Sequence, residues 1–382
     1  MAIIDRSDQQ PRLEASGPDA KVRSPRPVIG WAVAGVALLA FQVFVLARWV
    51  FGPTFVSTDP GPDQLASWQS VVFTVLQIGV PAGAVILLYV CVIRPWRRER
   101  RMTTDAMIAL SAAMVFFWDM SMSYTSVSLF YNSHLINRGA WANGAWPTWT
   151  SPNANKLPEP LLIVPPAYTA LVFSQVIFVL WLLRKIKARW PGTGALSAIA
   201  TIFVGLTITD TIVEGLVLRT GAYAYPGGIR AITLFAGQTY QIPMSETVLF
   251  GGLGLGAIAC LSYFRDDRGQ TVVERGIDRI NIGTKAKQAI KFFAIFGAIH
   301  LGFLLLYMVP QQWFATHSDR FPDGYKSYMV NDMCVSGVDG KTCPGPGVPM
   351  PRPMTNPRAD QPATPCVTSS AASVDAVNTQ KN

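Results

Sequence analysis

Charge is scarce in this chain. Only 14% of its 382 residues are Asp, Glu, Lys or Arg, where a soluble domain carries about 25%. Half the residues are hydrophobic, which excludes an ordinary soluble globule, and no polar stretch is long enough to bury a core of its own. Histidine is scarcer still, with three in all, and neither HExxH nor HxxxH occurs. No CxxC is found among the five cysteines, so a structural or hydrolytic metal site of the usual kind is excluded. A carboxylate-bound ion is the one metal reading left open; we expect no metal and no cofactor. Internal repeats are lacking, which argues against inverted-repeat transporters. "GGLGLGAIA" (251–259) is rich in glycine but lies inside an apolar run and follows no strand. It is therefore no phosphate-binding loop, and Gly252 and Gly256 offer a small-xxx-small packing face instead. The last apolar run lacks a buried lysine for a retinal Schiff base, because Lys291 stands only at its mouth.

What the chain does have is apolar blocks of about twenty residues, the length that crosses ~30 Å of hydrocarbon as helix. Seven stand out, at about 28–48, 68–93, 105–128, 161–183, 194–217, 244–264 and 292–310. The fold class is therefore all-α: a polytopic membrane protein, a bundle of about seven transmembrane helices. Residues 1–27 are a polar arm without the short signal-peptide pattern, so the first span is expected to persist as an anchor. Residues 28–310 form the transmembrane domain. Residues 311–382 form a Pro-rich tail, largely disordered, especially over its last forty residues. In it, Cys334 and Cys343 are placed to pair, with Cys366 as a competing partner.

Lys and Arg set the orientation. With the N-terminus inside, the inner segments hold 21 of the 32 basic residues, which predicts N-in and C-out in the cytoplasmic membrane. The arm is then cytoplasmic and the tail extracytoplasmic. The net charge of +9 is a topology signal, since "RPWRRERR" (94–101) and "RKIKAR" (184–189) hug helix ends and form no aromatic-studded stripe. No nucleic-acid partner is expected; membrane lipids are.

Against this background the buried acids stand out. A carboxylate at a helix centre is penalised by about 2.5–3.5 kcal/mol on insertion scales, yet "TITDTIVEGLVL" (207–218) carries Asp210 and Glu214 four residues apart. That spacing puts both on one helix face. At 1.5 Å per residue, Asp210 is ~22 Å along its span and Asp119 ~21 Å along the third, both counted from the inner side. Glu159, between Pro158 and Pro160, and Glu246, in "IPMSETVLF", enter the membrane from outer loops at a similar level. No acid falls in the inner half of any span. The plain alternative is that each acid is neutral, caps a helix or pairs with Arg138, Arg219 or Arg230 from the outer loops; Glu159 and Glu246, in first turns, also suit the helix dipole. Intramembrane ionisable residues usually line a cavity or pathway. Acids crowded in one dry pocket cannot all ionise, so one can donate a proton while another faces a cation. The loops at 131–160 and 219–243, rich in Trp, Tyr, Gly and Pro, are expected to fold over the helix ends as a lid. His300, alone in an apolar run, reads either as a donor to a backbone carbonyl or as a proton carrier.

Several pieces, in order, resemble the AveC-like membrane proteins, a family named for a protein of avermectin biosynthesis. They are "VAGVALLAFQVFVLARWVFGP" (33–53), "IRPWRRERRMTTDAM" (93–107), "FFWDMSMSY" (116–124), "YNSHLINRGAW" (131–141), "EPLLIVPPAY" (159–168), "RKIKARWPG" (184–192), "DTIVEGLVLRTGAYAYPGGIRAIT" (210–233) and "RDDRGQTVVERGID" (265–278). The resemblance runs over about residues 27–345. It implies a polytopic membrane protein and, for the namesake, closure of a dihydroxyketone polyketide to a spiroketal with loss of water, with an associated stereospecific dehydration. Acid catalysis on an apolar, hydroxylated substrate (a polyketide, isoprenoid or lipid) agrees with the crowded acids. On that reading one of Asp119 or Asp210 is the general acid, the other faces the cation, and Glu214 tunes or relays the proton. Tyr124, Tyr225 and Arg230 orient the substrate, with Asn132, Arg138, Glu159 and Glu246 as further binding candidates. The rival class is a lipid or metabolite carrier with the same pocket and no chemistry.

Overall fold

The structure is a computed structural model describing residues 26–148, 150–333 and 344–351. The first 25 residues, Cys334, Cys343 and Cys366, and the chain beyond 351 lie outside the described residues. Among the described residues, seven helices are long and apolar enough to cross a membrane: α1 Arg26–Val50, α2 Ser67–Glu99, α3 Thr104–Ser123, α4 Val164–Arg189, α5 Ala195–Leu218, α6 Met244–Tyr263 and α7 Thr284–Thr316. Their starts follow local chemistry. Thr103 caps α3 by accepting the Ala106 amide at 3.1 Å on its hydroxyl, Pro165 and Pro166 open α4 where their missing N–H groups do no harm, and Gly194 and Gly283 precede α5 and α7. Several boundaries differ from expectation: α2 and α4 run on to Glu99 and Arg189, and α7 already begins at Thr284. The third span stops at Ser123, not near 128, because the chain turns there into buried loop; the seventh runs on to Thr316, past Pro310, whose missing N–H is tolerated next to a widened turn (Leu304–Met308).

Helices pack closely where side chains vanish. A Cβ on Gly35 of α1 would lie 1.9 Å from the Phe293 carbonyl oxygen of α7, and one on Gly297 would lie 2.3 Å from that of Trp31, so α1 and α7 cross backbone to backbone, as small residues allow in lipid. On α6 the close face is Gly251 and Gly252, not Gly252 and Gly256. Cβ atoms at the first two would meet Asp210 Cβ at 2.7 Å and a Phe203 ring carbon at 2.6 Å, both on α5, whereas Gly256 has only Ile202 at 4.0 Å. Winding explains the shift: Thr247–Leu255 is π-helical, which rotates the glycines off the 3.6-residue register.

The loops at the other end from the basic clusters do more than cover it. Three two-stranded antiparallel sheets tie them together: β1 Phe130–Tyr131 with β4 Tyr223–Ala224, β2 Asn137–Gly139 with β3 Pro158–Pro160, and β5 Thr233–Leu234 with β6 Ile242–Pro243. Trp141 is fully buried and donates its indole N–H to the Phe117 carbonyl of α3 at 2.8 Å, and Trp49 of α1 donates to Gly139 at 2.6 Å. The loop at 131–160 is thus a plug set into the bundle. Part of the tail expected to be disordered joins it. Val348 and Met350 are buried and the Met350 amide donates to Thr125 at 3.0 Å, because this Pro-rich stretch finds an apolar seat beside α7.

Candidate active site

The acids converge where helices leave regular α geometry. Asp119 lies on the 3₁₀ half of α3, Met114–Ser123. Glu246 immediately precedes the π segment of α6. The π turns Tyr168–Val172 of α4 and Leu304–Met308 of α7 carry Tyr168 and Tyr307. Over- and underwound turns redirect side chains, and such turns recur at functional sites.

Asp119 accepts two phenols, Tyr131 on Oδ2 at 2.6 Å and Tyr168 on Oδ1 at 2.8 Å. The β1–β4 register sets Tyr131 opposite Tyr223, and Tyr223 donates to Glu214 Oε2 at 2.5 Å. Tyr225 donates to Glu246 Oε1 at 3.4 Å; Tyr307 donates to the same Glu246 oxygen. Ring contacts close the circuit: Tyr131 on Tyr223 at 5.8 Å, Tyr223 on Tyr225 at 5.7 Å, Tyr307 on Phe250 at 5.3 Å and Phe250 on Tyr168 at 6.0 Å. A belt of aromatic rings thus joins Asp119, Glu214 and Glu246.

Asp210 and Glu159 border this belt. Asp210 is 1% exposed; its Oδ1 receives the Gln175 amide at 3.4 Å and its Oδ2 has no partner. Asp119 and Asp210 share no hydrogen bond, but each lies within electrostatic reach of both Glu214 and Glu246. Glu159 is fully buried on β3 and neither of its oxygens is bonded. Burial lifts its carboxyl well above the ordinary glutamate range, and the Asp119 charge adds to the lift. The phenols of Tyr131, Tyr223 and Tyr225 are likewise raised, by burial first and then by neighbouring carboxylates, so they remain donors at any physiological pH.

The loop arginines stay apart, contrary to the salt-bridge alternative. Arg138 is in register with Glu159, but its guanidinium donates to the Asn137 carbonyl at 2.7 Å and lies 5.2 Å from the Phe55 ring centre. Arg219 covers Tyr240 at 3.9 Å. Arg230 is exposed, and its backbone amide donates to Asp319 Oδ2 at 2.7 Å. Among the described residues none of the five acids is ion-paired. Asn132 is buried and ties loop to loop, donating to the Gly221 carbonyl at 3.0 Å. Tyr124 packs on Trp146, ring centres 4.5 Å apart. His300 is fully satisfied: Nδ1 accepts from Gln42 at 2.9 Å and Trp118 at 3.0 Å, which puts the proton on Nε2, donated to the Ser111 carbonyl at 3.1 Å. Of its two readings, the structural one fits.

Sequence reasoning missed Tyr131, Tyr168, Tyr223, Tyr307 and Gln175. Tyr223 was the most detectable: with Tyr225 it forms an alternating pair that puts both rings on one face of an extended chain. Chemically, the arrangement gathers several carboxyls in a dry volume, and among the described residues phenols are the only donors to three of them. Protons must then be shared among the acids, and a developing cation would be the missing partner.

Among protein families, the model described as spirocyclase AveC-like matches residues 99–330. The span is shorter than the 27–345 over which pieces of sequence resemble that family; α1 and nearly all of α2 fall outside it, while every acid and tyrosine of the site falls within. No curated protein and no solved structure matches.

Proposed function

Because this chain belongs to the spirocyclase AveC-like family, we propose that it is an intramembrane acid catalyst that cyclises or dehydrates an apolar, hydroxylated substrate, forming a spiroketal or a related ring with loss of water. The substrate hydroxyl adds to a ketone to give a hemiketal. A carboxylic acid protonates the hemiketal oxygen, which leaves as water, and a second hydroxyl captures the oxocarbenium ion and returns its proton to a carboxylate. Such chemistry needs an acid, an anion facing the cation and a dry pocket that fixes the attacked face.

Hydrogen bonding supports a division of labour. Both Asp119 oxygens accept, as an ionised carboxylate does, so Asp119 is assigned to the cation. Asp210, with a free oxygen, is the general acid, and Glu214 passes protons through Tyr223 and Tyr225. Glu246, Tyr225 and Glu159 receive the substrate's hydroxyls. We also place the N-terminus and the polar arm (1–27) inside and the tail outside, on the Lys and Arg distribution. The site then lies in the outer half of the cytoplasmic membrane, within a 28–310 transmembrane domain.

The observation that carries this reading is a set of five buried or half-buried acids without a counter-cation, three of them clad in tyrosine hydroxyls. Its test is Asp119→Asn and Asp210→Asn. A catalyst keeps binding and loses turnover by about 100-fold or more; a lipid or metabolite carrier loses only affinity. Metabolite profiling of a deletion strain supplies the substrate: an open-chain hydroxyketone, or an alcohol heavier than its product by one water, should accumulate.

A further inference from the structure

Gln175, the side chain that bonds Asp210, lines a groove on the side of the bundle. A groove of about 250 Å³ runs between α4 and α5, lined by Ser174, Gln175, Phe178, Thr209, Ile212 and Val213. Its mouth faces outward among apolar side chains: Phe178 is 48% and Ile212 57% exposed, on helix faces that meet lipid in a spanning bundle. Two of its polar side chains are already satisfied, since the Ser174 hydroxyl donates to Leu171 at 2.7 Å and that of Thr209 to Gly205 at 2.9 Å. Gln175 is different. Only 6% of it is exposed, its Nε2 reaches Asp210 Oδ1 at 3.4 Å, and its Oε1 has no partner. Behind it, Asp210 Oδ2 is equally unpartnered. Buried polar atoms are normally bonded, so an orphan Gln175 Oε1 on the groove wall, with an orphan Asp210 oxygen next to it, calls for a group that can both donate and accept.

We propose that this groove is a lateral port through which an apolar chain bearing a hydroxyl enters from the lipid, its hydroxyl donating to Gln175 Oε1 on the way in and accepting from the Asp210 carboxylic acid at the end of the path. The chemistry selects the occupant. An alkyl chain suits the groove walls, a hydroxyl can both donate to Gln175 Oε1 and accept from Asp210, and a charged headgroup has no countercharge among the groove-lining residues. The proposal rests on the acid-site reading in taking Asp210 as the port's destination, and it adds the route and the polar latch.

The test uses the full-length protein in phospholipid nanodiscs with two photoreactive probes, a long-chain primary alcohol carrying a diazirine and the matching alkane diazirine. The alcohol should label peptides covering 174–178 and 209–213 about three- to tenfold more than the alkane, the preference one neutral hydrogen bond confers. Gln175→Leu should bring alcohol labelling down to the alkane level, and Val213→Trp, which fills the groove without removing the latch, should abolish both. Equal labelling by the two probes, or undiminished preference in Gln175→Leu, overturns the port; should Gln175→Leu fail to fold, undiminished labelling in Val213→Trp does so. Asp119→Asn separates the port from the acid site. Alcohol preference that survives while Asp119→Asn keeps full turnover supports the port and removes the catalytic reading; lost preference while Asp119→Asn abolishes turnover removes the port and leaves the acid site standing.

Discussion

Glu274 and Glu159 are both fully buried, and they sit at opposite ends of the bundle in opposite surroundings. Glu274 receives the Thr271 amide at 2.9 Å, the Thr104 hydroxyl at 3.1 Å and the Lys291 ammonium at 3.5 Å. Around it, Asp105 pairs with Arg265, Asp266 with Arg275 and Asp278 with Arg268. These contacts clamp the loop between α6 and α7 onto the start of α3. Glu159 receives nothing, and its neighbours in the site are other acids and phenols. A buried carboxylate with a cation and full hydrogen bonding is structural, because its charge is already answered. A cluster of acids without one holds protons and free acceptors that only a bound molecule can use.

The largest expected effect separates the two ends by function. Asp119→Asn keeps the shape of the side chain but removes the charge that faces the cation, so turnover should fall about 100-fold or more with folding intact. Glu274→Gln should do the reverse. Losing the charge that answers Lys291 is expected to lower stability by about 1–3 kcal/mol, read as denaturant or thermal unfolding in detergent, while turnover per folded molecule stays at the wild-type level. If Glu274→Gln silences a fully folded protein, the division into clamp and site is wrong.

Next come the phenols. Tyr131→Phe and Tyr168→Phe each delete one hydrogen bond to Asp119 while keeping the ring in the belt. Each single change should reduce turnover by about ten- to a hundredfold, the worth of one hydrogen bond to a charged group. The double variant should lose more than the product of the singles, because Asp119 then stands without a donor in a dry site. Strict multiplication would mean that the two hydroxyls act separately and that Asp119 is not their common object.

The two ends also differ in how legible they were. Span count and the placement of the basic clusters at span ends followed from residue spacing along helices, which is regular over long distances. The tyrosines of the belt did not. Tyr168 and Tyr307 owe their direction to π turns, which no periodic template anticipates, and Tyr131 meets Asp119 through a strand pairing with residue 223, far away in sequence. Arg138 shows the converse error. Register does place it opposite Glu159, but a guanidinium on a long stem found a carbonyl and the Phe55 ring instead. Sequence distance sets where a side chain starts, not where its polar end settles.

The smallest effect is a matter of slope. Glu159 is raised by burial, so between the ordinary glutamate value, about 4.3, and its higher folded value the native state holds a proton that the unfolded chain has released. Stability contributed by this site therefore falls as pH rises through that window. Asp278 lies the other way: the Gln270 hydrogen bond and Arg268 hold its carboxyl below the usual range, so its contribution is present above the ordinary aspartate value, about 3.9, and is lost as pH falls through the folded one. Glu159→Gln, which imitates the protonated acid, should melt with wild type at pH 4 and below, and above it at neutral pH. Asp278→Asn should melt slightly below wild type at neutral pH and converge with it in acid, and because the pair with Arg268 is exposed, added salt should erase most of that small difference. Slopes of the same sign in the two variants would mean that Glu159 is ionised and answered after all, and the contrast between the two ends would lose its physical basis.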